Sequence, residues 1–351
     1  MFRTCENPAL QRDPTGRRAL QCRTMTRAKQ PSKQSKSQPK PSKTGRTGKA
    51  GRTGKSARKG RPFTGRIRRW WGKATPRQRA KAVVTTVVAT LCVVALAVGA
   101  TWLTIRRIEI DRARQRQETS IQVYDFDPGD IISDGQFFNA RAMSEDEVQA
   151  FLDERGAACS GDRCLRNVTF DTEDRPADDY CEAAYEGADG ERAAAIIDKS
   201  ARACGISQKV LLTVLQKEQH LVTATDIDDF QYKSAMGLSC PDDASCDPEY
   251  EGFFRQVYGA AHRYRYYLAH EDDYGYHAGE LNYVRYNPVA SCGGSDVYIE
   301  NRATALLYIY TPYQPNAAAL EAGVGEGDSC SSYGNRNFSI IYQSWFGSPR
   351  R

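Results

Sequence analysis

The stretch that most limits what this chain can fold into is Ala82–Ile105, AVVTTVVATLCVVALAVGATWLTI, which carries no charge over 24 positions. A helix rises about 1.5 Å per residue, so roughly 20 apolar residues cross the hydrocarbon core of a bilayer. A buried helix of a soluble core is seldom this long without polar interruption. A cleaved signal peptide is the stronger rival, because Val98-Gly99-Ala100 has the small residues of a cleavage site. The long basic leader and the extension of the apolar run to Ile105 favour an uncleaved anchor. Lys73, Arg77, Arg79 and Lys81 lead in, and Arg106 and Arg107 lead out.

The net charge of +6 conceals two unlike halves. Residues 1–81 hold 25 Lys and Arg against only Glu6 and Asp13, whereas the remainder holds 24 basic and 41 acidic groups. The basic excess lies on the N-terminal side, so the positive-inside rule predicts a cytoplasmic tail and an external C-terminal part. The tail is rich in Lys, Arg, Ser, Gly, Pro and Gln and repeats GRTGK at 45–49 and 51–55, so it reads as disordered up to Lys81. Gly54-Lys55-Ser56 is no phosphate-binding loop, since position 49 is Lys and no apolar strand precedes it. Such a tail attracts nucleic acid by charge alone, but a solvated segment that sets topology and touches anionic lipid is the better reading. No specific nucleic-acid partner is expected. Residues 1–24 differ in texture from the rest of the tail, which makes Met25 an alternative start.

Cysteine usage agrees with this topology. Cys5 and Cys22 lie in the tail and Cys92 in the span, leaving Cys159, Cys164, Cys181, Cys204, Cys240, Cys246, Cys292 and Cys330 outside. An even number beyond a membrane segment predicts up to four disulfides in an oxidising compartment. Proximity suggests Cys159–Cys164 and Cys240–Cys246, with the other four left for longer bridges. No metal site is expected, because CxxC repeats are absent and the four His are not in ligand spacing.

The expected organisation is a basic tail (1–81), a transmembrane helix (82–105), a charged helical stalk (106–122) and one mainly α external domain with minor β (123–351). Ser144–Glu147 is a capping box that opens a helix ending at Gly156. Glu191–Cys204 and Glu251–His270 are helical by pattern, Asn301–Tyr310 is another, and Tyr274–Tyr298 is a Tyr-, Gly- and Asn-rich loop with short strands. The clearest amphipathic helix is Ser207–Val222, with Gly205 ending the helix before it and Ser207 as N-cap. Val210, Leu211, Val214 and Leu215 share one face, and Glu218 continues that stripe. Desolvation and the negative end of the helix dipole both disfavour charge there, which suits a general acid for glycosidic cleavage. The plain alternative is a solvated last turn, Gln216–Gln219.

The order of a helix ending in Glu, a Ser-Ala-Met-Gly segment, an aromatic helix, an Asn-Pro loop and a further helix resembles the lysozyme-like superfamily. That group includes goose-type lysozymes, lytic transglycosylases and autolysin glucosaminidases. Leu211–Glu218 matches the helix that carries the catalytic acid in these families. Ser234-Ala235-Met236-Gly237-Leu238 is similar to the turn that shapes the sugar cleft, and Asn282–Pro288 to a cleft segment of the glucosaminidases. Two departures stand: Gln219-His220 follows the Glu where Ser or Thr is common, and the Gln of the turn is missing. Residues 125–348 as a whole resemble exported actinobacterial proteins labelled haemagglutinin-like, which share QKEQ, SAMG and YTPYQPNAAAL stretches.

The resemblance implies a disulfide-stapled lysozyme-like domain that cuts peptidoglycan or another cell-wall glycan, with Glu218 as acid and no cofactor. A non-catalytic wall-binding or envelope-assembly module on the same fold is the alternative. A second carboxylate is sought among Asp226, Asp228 and Asp229, since hydrolytic mechanisms place one roughly 5–9.5 Å from the acid; transglycosylation needs none. Tyr232, Ser234, Met236, Tyr283, Tyr286 and Asn287 are the candidate sugar contacts, because aromatic faces stack on sugar rings.

Overall fold

A computed structural model describes residues 63–240 and 246–351. The GRTGK repeat, Met25 and most of the basic tail lie outside them. The chain divides into two units, Met1–Pro76 and Arg77–Arg351.

The described part of the first unit is helix α1 (Phe63–Lys73). The expectation of a disordered tail reaching Lys81 therefore fails over its last stretch. Ile67, Trp70 and Trp71 recur at i, i+3 and i+4, a helical spacing that the high charge of the tail obscures.

Apart from its first residue, α2 (Pro76–Tyr124), a single helix of 49 residues, belongs to the second unit. Proline suits its first position, where the fixed φ is already helical and no N–H is needed. The helix is long and apolar enough to cross a membrane, and none of its most apolar window is buried inside the protein. This speaks against the core-helix alternative, since Val83–Ile105 are exposed among the described residues. The sequence pattern divides this segment into a span and a separate stalk. No Pro or Gly interrupts it after Gly99, and the structure continues the helix straight into the domain.

That domain is mainly helical. Its elements are α3 (Asp134–Phe137), α4 (Glu145–Arg155), β1 (Thr169–Phe170), β2 (Glu191–Arg192), α5 (Ala193–Cys204), α6 (Gln208–Gln219), α7 (Asp229–Lys233), α8 (Phe253–Ala269), β3 (Glu280–Arg285), β4 (Gly294–Ile299), α9 (Arg302–Tyr310), α10 (Ala317–Glu321) and α11 (Gly334–Phe346). The helix buried on nearly every side is α5, whose Ala193, Ala194, Ile196, Ile197, Ala201 and Ala203 face the core. It packs between α4, α6 and α8, and its small residues let those neighbours approach. Gly205, at φ 66° and ψ 35°, ends it in the left-handed conformation and turns the chain into α6. The Ser144–Glu147 capping box is formed as expected.

β3 and β4 make an antiparallel hairpin in which Glu280 faces Ile299 and Arg285 faces Gly294. The last turns of α2 dock against it. Gln117 is buried; its Oε1 accepts the Tyr298 N–H at 2.9 Å, and its Nε2 donates to the Tyr298 carbonyl at 3.2 Å and to Asp127 at 3.3 Å. One side-chain amide thus satisfies both backbone groups of a strand residue, as a neighbouring strand would. Arg116 donates to the Asp296 carbonyl at 3.0 Å, and the Arg114 guanidinium lies 4.3 Å from the Tyr298 ring centroid. Gly129 is needed beneath the clamp, because a Cβ there would overlap Gln117 Nε2 and the Tyr298 oxygen. The expected stalk 106–122 is therefore part of the domain from about Ala113 onward.

Four disulfides join Cys159–Cys164, Cys181–Cys204, Cys240–Cys246 and Cys292–Cys330. The two short bridges are those that proximity suggests. The two longer ones tie the loop before β2 to the end of α5, and the hairpin loop to the segment preceding α11.

Two paired carboxylates give the domain an acid-labile component. The Gln343 hydrogen bond and then Arg350 hold Asp125 below the usual carboxylate range. For Asp178, burial raises the value, but the N–H groups of Cys181 and Tyr180 and the His262 ring outweigh it and leave it lowered. Both folded values lie below the unfolded ones, so the unfolded chain takes up protons first as pH falls. The stabilisation is complete above about pH 4 and is lost as pH falls through the folded values. Thermal midpoints should therefore drop on acidification below about pH 4, and Asp178→Asn should flatten that slope.

Candidate functional site

The site is built around the C-terminal end of α6. Val210, Leu211, Val214 and Leu215 are fully buried, as the periodicity requires, and the stripe delivers Glu218 to the rim of the core with its side chain 26 % exposed. His220 closes the helix in the left-handed conformation at φ 57°. The residue before the Glu carries no signal in the sequence, yet Lys217 is only 7 % exposed and its ammonium pairs with Glu218 Oε1. The same ammonium reaches Thr311 Oγ1 at 3.4 Å and lies 5.7 Å from the Tyr310 ring centroid. The turn Gln216–Gln219 is therefore neither a solvated helix end nor a lone buried acid. It presents a half-buried ion pair.

Opposite the pair stands the Ser234–Leu238 turn. Gly237 has φ 68°, and a Cβ built on it would come within 3.4 Å of the Glu218 carboxylate. Glycine supplies the left-handed turn and lets the backbone pack beside the carboxylate. A residue missed by sequence reasoning holds this turn. Gln256 of α8 is fully buried; its Oε1 accepts the N–H groups of Met236 at 3.0 Å and Leu238 at 3.1 Å, while its Nε2 donates to the carbonyls of Leu238 and Tyr250, both at 2.8 Å. The signal was present: Gln256 lies four and eight residues before Ala260 and Tyr264, on the face of α8 that goes inside.

Beneath the ion pair two tyrosines stack, with the Tyr264 and Tyr310 centroids 5.0 Å apart. The Tyr310 hydroxyl donates to the Met236 carbonyl. The Tyr264 hydroxyl is buried and has no hydrogen-bond partner. Burial is the main cause that pushes both phenols far up, and the Glu218 charge adds to it in each. Both stay protonated.

The remaining predicted residues fall into three places. Ser234 is buried, accepting from Gln219 Nε2 at 2.9 Å and donating to the Phe230 carbonyl at 2.8 Å, so it braces the turn against α6. Met236 is buried beneath the turn. Tyr232 packs edge-on against Phe170 and gives its hydroxyl to the Arg163 carbonyl, so its ring is engaged within the protein. Tyr283 is exposed on β3, and Tyr286 and Asn287 are half-buried in the loop after it. That hairpin meets the Glu218 region through the segment after α9, where Thr311 touches Lys217 and Tyr313 bridges to Arg285.

Each member of the aspartate trio has its own surroundings. Asp228 is the N-cap of α7 and forms a capping box with Gln231. Asp229 is exposed and pairs with Arg163 at 2.8 Å. Asp226 lines a polar hollow of about 240 Å³ beside the Cys159–Cys164 loop. Replacing Asp228 by Ala should therefore cost about 1 kcal/mol of stability through the lost cap and leave any glycan turnover within a few-fold of wild type. A loss of turnover comparable to that of a Glu218 variant, at unchanged folding, would make Asp228 a reacting group instead.

Asp178, Cys181 and His262 bring three ligand-type atoms together, but the Cys181 sulfur is engaged in its disulfide and Asp178 accepts from His262 Nε2 at 2.7 Å. In comparison with known proteins, no family model, no curated protein and no solved structure matches the chain.

Proposed function

We propose that this is a single-pass membrane protein with its basic tail in the cytoplasm, and that its disulfide-bonded domain outside cleaves a peptidoglycan glycan strand. The reaction is hydrolysis or lytic transglycosylation, with Glu218, in its carboxylic acid form and freed from Lys217, protonating the leaving glycosidic oxygen. Supporting the orientation are the basic residues ahead of the span and four disulfides, which persist in oxidising compartments. The observation that carries the activity is the Glu218 side chain at the end of a buried helix, 26 % exposed beside the Gly237 turn and with two buried phenols beneath it. A group so placed has a rigid support and remains part exposed, as a proton donor requires.

The Lys217–Glu218 pair favours a second reading. A carboxylate already held by an ammonium also suits a site that binds a wall polymer, or an assembly partner, without breaking a bond. The full chain in detergent, incubated with purified glycan strands, separates the two. Release of soluble fragments supports cleavage. Glycan binding without fragments leaves the binding module, and absence of both leaves the assembly role.

A further inference from the structure

Helix α1 is the one described element for which neither the domain nor the proposed reaction has a use. It carries Ile67, Trp70 and Trp71 on one face, and these large side chains are 50 %, 48 % and 40 % exposed. At 100° per residue, Arg69 projects opposite that face while Arg68 and Lys73 flank it on either side, all three exposed. An aromatic face set against a cationic one is the pattern of a helix that lies in the headgroup layer of a bilayer. Tryptophan favours that layer because its ring is apolar and its N–H is polar, and arginine and lysine favour anionic headgroups. Lys73 also precedes Pro76 by only three residues, and the apolar run begins at Ala82. The chain itself thus delivers α1 to the leaflet that α2 enters.

We propose that Phe63–Lys73 is an interfacial helix that docks on anionic lipid, with Trp70 and Trp71 inserted at the acyl boundary and Arg68, Arg69 and Lys73 among the headgroups. The proposal rests on α2 crossing the bilayer and is independent of what the outer domain does. Nucleic acid would satisfy the arginines but would leave the adjacent Ile67 and tryptophan face in water. The lipid surface satisfies both faces at once.

The chain contains four tryptophans, so a full-length Trp102→Phe, Trp345→Phe protein reports on Trp70 and Trp71 alone. It is reconstituted into vesicles of phosphatidylcholine with or without phosphatidylglycerol, some carrying brominated acyl chains. In the anionic vesicles the emission maximum should move to the blue and bromolipid should quench it. Replacing Arg68, Arg69 and Lys73 by Gln should remove most of that quenching while the chain stays in the vesicle pellet after carbonate extraction. Water-like emission without bromolipid quenching in the anionic vesicles, with the chain retained in the pellet, overturns the proposal. So does quenching that the Gln variant retains in full, or a duplex DNA oligonucleotide that strips Trp70 and Trp71 from the vesicles. If the chain leaves the pellet, the anchor reading falls first and this one with it.

Discussion

A Glu218→Gln protein should cleave glycan strands about 10²–10⁴-fold more slowly than wild type, the range that a positioned general acid contributes. The substitution is chosen to change little else. The carboxamide has the shape of the carboxyl, and its oxygen can still accept from Lys217, so the half-buried ammonium keeps a partner. Gly237 approaches no more closely to the new side chain than to the old one. What the amide lacks is a proton to give the leaving oxygen. Thermal midpoints of the two proteins should therefore agree to within a few degrees while turnover collapses. Equal turnover in the variant would remove Glu218 from the chemistry. An inactive wild type that binds glycan would move the whole site to the binding reading. Gln256→Leu probes the same site from behind. It withdraws four hydrogen bonds from the Met236–Leu238 turn and from Tyr250 without touching Glu218.

Local patterns are readable in the chain and partners distant in sequence are not. The stripe of α6, the Gly205 stop and the Ser144 capping box each depend on residues within about one turn, and each is formed. Ser207 shows the limit of that reasoning. It occupies the N-cap with extended φ and ψ, as expected, but its hydroxyl makes no capping bond and is buried without a partner. Its N–H donates instead to the Phe137 carbonyl, a contact set by the packing of α3. Lys217 reads as a solvated neighbour because a lysine in a last turn ordinarily is one. Only the segment after α9, over ninety residues on, encloses it. For the disulfide-bonded domain the legible part is thus the scaffold and the placement of Glu218, whereas the ion pair, the Gln256 brace and the tyrosine stack come from tertiary packing.

Gln117→Leu should lower the unfolding temperature of the disulfide-bonded domain by roughly 4–24 °C, because it strands two part-buried backbone groups at once. Tyr298 receives both its donor and its acceptor contact from that one amide, and its partner strand β3 lies on the other side. A buried N–H or C=O left unpaired costs about 1–3 kcal/mol, so the pair amounts to at most about 2–6 kcal/mol. A domain of this size loses roughly 2–4 °C per kcal/mol. Gly129→Ala should produce a similar loss by driving a methyl group into the same amide. The two changes together should fall short of the sum, since either one alone opens the clamp. Gln122→Leu, on the exposed side of the same helix, should alter stability by about 0.5 kcal/mol or less. If Gln117→Leu were as harmless as Gln122→Leu, residues 106–122 would be the free spacer that their charge suggests. If it is not, the anchor and the domain form one rigid piece, and Gln117 lies about 18 Å beyond Ile105 along the helix. A domain held that way cannot swing on a tether, and under the proposed function any glycan strand must reach it close to the membrane.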